Sequence, residues 1–269
     1  MSAAAAQGVP ASGPGLPRLP SRALLSQELW LVFALSLGAE GVNALLSLVA
    51  DLTSRVPLST QTALLNGSQA PGRPWLDLLL QLTSLAFAVV PVLLVAHLLV
   101  RSGEGINALG LGVDRPRFDL VRGAVLAAVI GGGGLAFYLA AHAVGVNLIV
   151  IPEDLPATWW RIPVLLLSAA QNALLEEVLV AGYLLHRLRQ LGWSANRALA
   201  LSAVLRGSYH LYQGFGGFAG NAVMGLLFGR LYQRWGRVAP LVVAHTLIDA
   251  VAFVGYATLA QHLPWLPTH

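Results

Sequence analysis

The chain of 269 residues has no cysteine and no lysine, and only 10% of it is charged. Without cysteine there can be no thiol nucleophile, no disulfide and no thiolate-held zinc or iron–sulfur centre. Without lysine there is neither Schiff-base chemistry nor a Walker A phosphate lysine, and all 16 basic residues are arginine. The His-Glu-x-x-His and Gly-x-Ser-x-Gly patterns are also missing, which excludes the common zincin arrangement and the serine elbow of α/β-hydrolases. The pI near 10.0 does not point to nucleic acid, because the arginines stand at the ends of apolar stretches rather than in one patch. Soluble domains carry about a quarter charged residues, so water is not this chain's main solvent.

What the chain has instead is apolar length. Hydrophobic residues make up 56% of it and the mean hydropathy is +0.69. Several stretches approach the ~20 apolar residues that cross a bilayer as a helix, the economical way to satisfy every backbone group in lipid. The expectation is an all-α, polytopic transmembrane bundle. Candidate spans lie at about 27–50, 76–100, 119–145, 159–186, 197–212, 218–235 and 238–260. That is seven, with an eighth if the long first or fourth stretch breaks. Residues 1–24 are rich in Ala, Gly, Pro and Ser and read as a disordered cytoplasmic tail. Residues 25–158 are helices of unassigned role, 159–260 hold the chemistry-bearing helices, and 261–269 form a C-terminal tail.

Arginine placement fits this layout. With a cytoplasmic N-terminus and alternation across seven spans, cytoplasmic ends receive Arg18, Arg22, Arg101, Arg115, Arg117, Arg122, Arg187, Arg189, Arg197, Arg230, Arg234 and Arg237. The outer side receives only Arg55, Arg73 and Arg161, with Arg206 left inside the membrane. The bias follows the positive-inside rule. The lysine-free, Arg/Ala/Gly-rich composition suggests a high-GC bacterium, hence a bacterial plasma membrane. The glycines at 131–134, and the pairs Gly216/Gly220 and Gly225/Gly229, read as close helix packing. The sequon Asn66-Gly67-Ser68 carries little weight.

Ionisable residues at bilayer depth are costly and default to functional hypotheses. The fourth stretch places Glu176 beside Glu177, after Gln171 and Asn172; the fifth has Arg206 and His210; the seventh has His245 and Asp249. Adjacent carboxylates point about 100° apart on a helix, so one can poise a water while the other anchors a cation. Each i,i+4 pair shares a helix face, and a carboxylate one turn from a histidine can orient the imidazole. A lone histidine in a span is usually a packing hydrogen bonder; two histidines and three carboxylates on three spans point to catalysis. Two chemistries fit. His210 and His245 with Glu176 hold a divalent metal such as zinc that activates water, or Glu176 is the base and the other groups position water and the oxyanion.

These residues carry a family resemblance. Glu-Glu in EEVLVA (Glu176 to Ala181), the histidine of RGSYH (Arg206 to His210) and HTLID (His245 to Asp249) resemble, in order and spacing, the motifs of the CPBP family of intramembrane proteases. This is the CAAX-protease and bacteriocin-processing group also called Abi, and the similarity covers roughly residues 160–256. It implies Glu176 as the water-activating base, His210 as its partner, and His245 with Asp249 as the oxyanion-stabilising or metal-binding group. Two positions depart from the pattern: the family arginine is Ala181, and the family phenylalanine is Arg206. Arg206, one turn before His210, is therefore expected to neutralise Glu177 from the neighbouring helix as structural support. The expected activity is endopeptidase cleavage of a membrane-embedded or lipid-associated peptide, with lipid the surrounding partner. The rivals are an inactive relative serving as scaffold or immunity protein, and a proton-coupled transporter.

Overall fold

The computed structural model describes residues 20–263. Its helices are α1 (Arg22–Ala34), α2 (Leu37–Thr53), α3 (Pro74–Ala88), α4 (Val90–Arg101), α5 (Pro116–Ala143), α6 (Arg161–Glu176), α7 (Leu185–Gln190), α8 (Ala195–Ser208), α9 (Phe215–Trp235) and α10 (Ala239–Leu259). These fall into the seven stretches expected from hydropathy. By length and composition, however, among the described residues only Pro74–Arg101, Pro116–Ala143, Arg161–Gln190 and Ala239–Leu259 can cross a membrane, making four spans, or five if the α1/α2 pair, bent by 44°, is one span. The all-α, polytopic architecture stands; a count of seven spans is not supported on these terms, because α8 has 14 residues and α9 lacks a sufficiently apolar stretch. The first span also begins earlier than hydropathy suggested. Ser21 caps α1 by accepting from the Leu24 N–H, so the expected tail ends before residue 22. Residues 1–19 and 264–269, where the rest of both tails was expected, lie outside the described residues.

The loops gather at two opposite ends. At one end, Glu104 pairs with His186 (2.7 Å) and Arg187 (2.7 Å), and the Arg237 guanidinium bonds both Asp119 (2.6 Å) and Asp114 (2.9 Å). Arg101 pairs there with Glu28. The carboxyl of Asp114 sits below the usual carboxylate range because Arg237 donates to it, and Arg237 in turn is held above the ordinary guanidinium value. At the other end lies an element that hydropathy did not reveal, a parallel pair of strands, β1 (Thr62–Gly67) and β2 (Ile149–Asp154), with Thr62 opposite Ile149. Arg161 closes on Glu153 there, and Trp75 packs on Trp159. The Asn66 side chain is used within this end, donating to the Pro152 carbonyl (2.8 Å) and accepting from Ser168 (2.6 Å). The sequon therefore serves as a structural fastener.

The core belongs to the fourth stretch. In Arg161–Gln190, 56% of the apolar window is buried, against 6% for α5, so this helix is central and α5 turns its side chains outward. Val178, Leu179, Tyr183 and Leu184 are buried against Leu29, Val95, Leu99 and Phe228 from three other helices. Large exposed apolar residues such as Leu79, Val121, Val129 and Val251 cover the outside, as lipid-facing surfaces do. The glycine expectation divides. Gly225 and Gly229 allow α9 onto α8, since an added Cβ would lie 3.0 Å from Ala203 and 2.6 Å from Leu199. Gly132, Gly133 and Gly134 face open space and pack against nothing within 4 Å. The close approach of α5 to α10 is made instead at Gly123, where a Cβ would collide with Val243.

Candidate active site

Directly after Glu176 the central helix widens into a π-helical segment, Glu177–Leu184. Such segments are rare and recur at functional sites, because the extra residue per turn re-aims the side chains around it. Here the two adjacent carboxylates separate in environment. Glu177 is fully buried, while Glu176 lines a cavity of about 420 Å³. His210, His245 and Asp249 line the same cavity, with Asn172, Tyr209, Met224 and Glu40. Sequence reasoning expected the catalytic set to converge, and all four members stand at this one cavity.

Arg206 is at the centre of the charged cluster, with a side chain 1% exposed. Its Nη1 donates to Glu177 Oε1 at 2.7 Å, and its Nη2 lies 3.3 Å from Glu176 Oε2 and 3.2 Å from His245 Nδ1. The structure thus brings the Arg206 guanidinium to Glu177, as the two departures from the family pattern suggested. The match is incomplete: Glu177 Oε2 and Arg206 Nε have no hydrogen-bond partner among the described residues. At position 181, where the family arginine would stand, Ala181 is buried in the apolar core.

Each oxygen of Glu176 meets a different neighbour. Oε2 accepts a hydrogen bond from the Tyr209 hydroxyl at 2.9 Å and is the oxygen nearest Arg206. Oε1 faces His210 Nε2 across 4.0 Å, too far for a direct hydrogen bond. His210 is not on the helix face assumed for it: α8 ends at Ser208, and His210 follows the helix end, its Nδ1 set 2.9 Å from the Arg206 carbonyl. A carbonyl only accepts, so Nδ1 carries the proton, and in the neutral imidazole Nε2 then presents its lone pair towards Glu176. On α10, His245 Nδ1 lies 2.8 Å from Glu177 Oε1 and Nε2 lies 3.6 Å from Asp249 Oδ1.

Metal fit can be judged from the donor set. Ligand atoms of Glu176, Glu177 and His245 come within 4.8 Å of one another, so the trio in reach includes Glu177 rather than the expected His210. The Arg206 guanidinium already occupies this ground, in contact with all three. A divalent ion placed there would meet a full positive charge at about the distance of its own ligands, where like charges repel strongly. The residues present do not fit a metal while Arg206 stands where it does.

Two contributors were missed in the sequence. Tyr209 precedes His210 inside the RGSYH motif, and that adjacency was the available signal. Glu40, a lone acid in the first span, lines the cavity, and nothing local in the sequence reveals that.

The fold and site together define a helical integral membrane protein with a carboxylate–histidine cluster around a cavity between its helices. Residues 158–251 match the family of type II CAAX prenyl endopeptidase Rce1-like proteins. The match spans less than half of the chain; it supports a likeness in this region to the CPBP/CAAX proteases, a family whose members are intramembrane endopeptidases. Neither the curated proteins nor the solved structures give a significant match.

Proposed function

We propose that the chain hydrolyses a peptide bond in a membrane-embedded or lipid-associated peptide, with Glu176 and His210 activating a water directly. The observation that carries this reading is the 4.0 Å separation between Glu176 Oε1 and His210 Nε2, two acceptors that cannot bond each other. One water between them donates both its protons, one to each, through ordinary hydrogen-bond lengths of about 2.8 Å. Its lone pairs are then free to attack. As the water oxygen bonds to the substrate carbonyl carbon, Glu176 takes its proton as general base and the carbonyl π electrons move to oxygen. An Nε2–H of His245, steadied by Asp249, is the donor for the resulting oxyanion. Collapse re-forms the carbonyl, breaks the C–N bond and passes the proton to the leaving amine.

Tyr209 and Arg206 hold Oε2 and so keep Oε1 turned towards the water. Glu177 with Arg206 is structural support, and no step needs a metal. The arginine distribution and lysine-free composition support a bacterial plasma membrane with a cytoplasmic N-terminus, where a membrane peptide is a better candidate than a prenylated tail. The test is cleavage of a quenched peptide library by purified protein, comparing the wild type with Glu176→Ala and His210→Ala. Loss of about 10² or more in kcat/KM is expected from either; unchanged cleavage in both would remove this reading. Proton-coupled uptake into liposomes without cleavage would favour a transporter.

A further inference from the structure

Glu40 stands in the first turn of α2, just past the 44° bend, in a stretch otherwise free of charge from Leu29 to Ala50. It lies near the middle of the Arg22–Thr53 pair, as Glu176 lies at the middle of Arg161–Gln190, so the two carboxylates sit at comparable depth. Burying a carboxyl at that depth costs a few kcal/mol even on lenient insertion scales. Yet Glu40 is exposed and has no hydrogen bond or ion pair with any described residue. Its place is fixed by the neighbouring Gly41, which brings α2 against the end of α8; a Cβ there would lie 2.8 Å from Ser208 Oγ. That contact sets Glu40 on the wall of the 420 Å³ cavity, which Tyr212, Glu176 and His210 also line. The cations near the site are already engaged, since Arg206 is shared between Glu176 and Glu177.

We propose that Glu40 is a specificity-determining residue that receives a basic side chain of the substrate peptide, close to the scissile bond. An apolar peptide entering from lipid fills the cavity walls formed by Leu37, Leu65 and Phe253, and its arginine or lysine finds in Glu40 an unused opposite charge. The anion also gains from the α2 N-terminus. Selection thus comes from residues 20–157, outside the region matched to the family, while the chemistry comes from inside it.

This inference rests on the peptidase reading, so the experiment separates the two. Apolar peptides carrying arginine, its neutral isostere citrulline, or glutamate at each position in turn are given to the wild type, Glu40→Gln and Glu40→Arg. The wild type should prefer arginine over citrulline at one position, through KM rather than kcat. Glu40→Gln should reduce that preference about five- to tenfold, and Glu40→Arg should shift it to glutamate. Unaltered preference in both variants, with folding verified by thermal melting in detergent, overturns the proposal. Equilibrium binding of the same peptides to each protein and to the Glu176→Gln background covers the case of no cleavage. Arginine-selective binding that Glu40→Gln abolishes would then support the site while removing the proteolytic reading, and binding without that selectivity would overturn the site.

Discussion

At the scale of single residues, the site turns on how one buried cation is shared. Arg206 lies against Glu177, Glu176 and His245 at once, so removing it strands buried charge. Arg206→Leu should cost about 3–5 kcal/mol of stability, and Glu177→Gln should restore part of that loss, since the amide needs no counter-charge. Denaturation of the four proteins of the cycle in detergent measures this, and strict additivity would show that the pair does not interact. A second swap tests the departure from the family. Arg206→Phe alone should inactivate the protein, and Ala181→Arg with Arg206→Phe should regain activity by supplying Glu177 from its own helix. No gain over the single variant would mean that Arg206 does more than neutralise Glu177. Much of this scale was legible in the sequence, because i,i+4 spacing and the cost of charge in lipid single out Glu176, Glu177, Arg206, His210, His245 and Asp249. Which oxygen faces which nitrogen was not, since that depends on rotamers fixed by neighbours on other helices.

At the scale of elements, close helix approach holds the charged cluster in register. Gly225 of α9 leaves room for the Arg206 side chain, and a Cβ there would lie 3.2 Å from its Cδ. Gly225→Val should destabilise by about 1–3 kcal/mol through overpacking, and it should depress kcat by displacing Arg206 from Glu176. Gly133→Val, on an open face, should do neither; comparing thermal midpoints and turnover of the two variants checks the contrast. The clamp of Arg237 on the loop before α5 predicts a pH effect. The Asp114 carboxyl is depressed in the folded protein by Arg237, so its contribution is present above the unfolded carboxylate value and is lost as pH falls through the lower, folded value. The thermal midpoint should therefore fall below about pH 4, and the fall should be shallower in Asp114→Asn. Hydropathy located the helical stretches but not the π-helical segment, the early end of α8, or the β1–β2 pair. Those depend on partners distant in sequence: Thr62 meets Ile149 only after α3, α4 and α5 have been folded back.

At the scale of the whole molecule, the chain divides into a central helix surrounded by lipid-facing neighbours, with loops of two kinds at its two ends. The arginine-rich loops meet through Glu104, Asp114 and Asp119, and the β1–β2 pair and the Arg161–Glu153 bridge mark the other end. A reporter fused at the N-terminus and one inserted at residues 103–115 should read the same face of the membrane, and one at residues 69–73 the opposite face. Because Arg206 already supplies the positive charge of the cluster, chelators should leave peptide cleavage unchanged; loss restored by a divalent ion would show that a metal displaces the arginine. By itself the sequence determined the solvent, the helical class and the order of the reactive residues, since bilayer energetics act on composition and the motif spacings are local. Only the tertiary structure decided that Glu40 belongs to the same cavity as Glu176, and that Arg206, already expected beside Glu177, also reaches Glu176 and His245. Those are contacts between helices far apart in the chain, set by how small residues such as Gly41 and Gly225 let the helices approach.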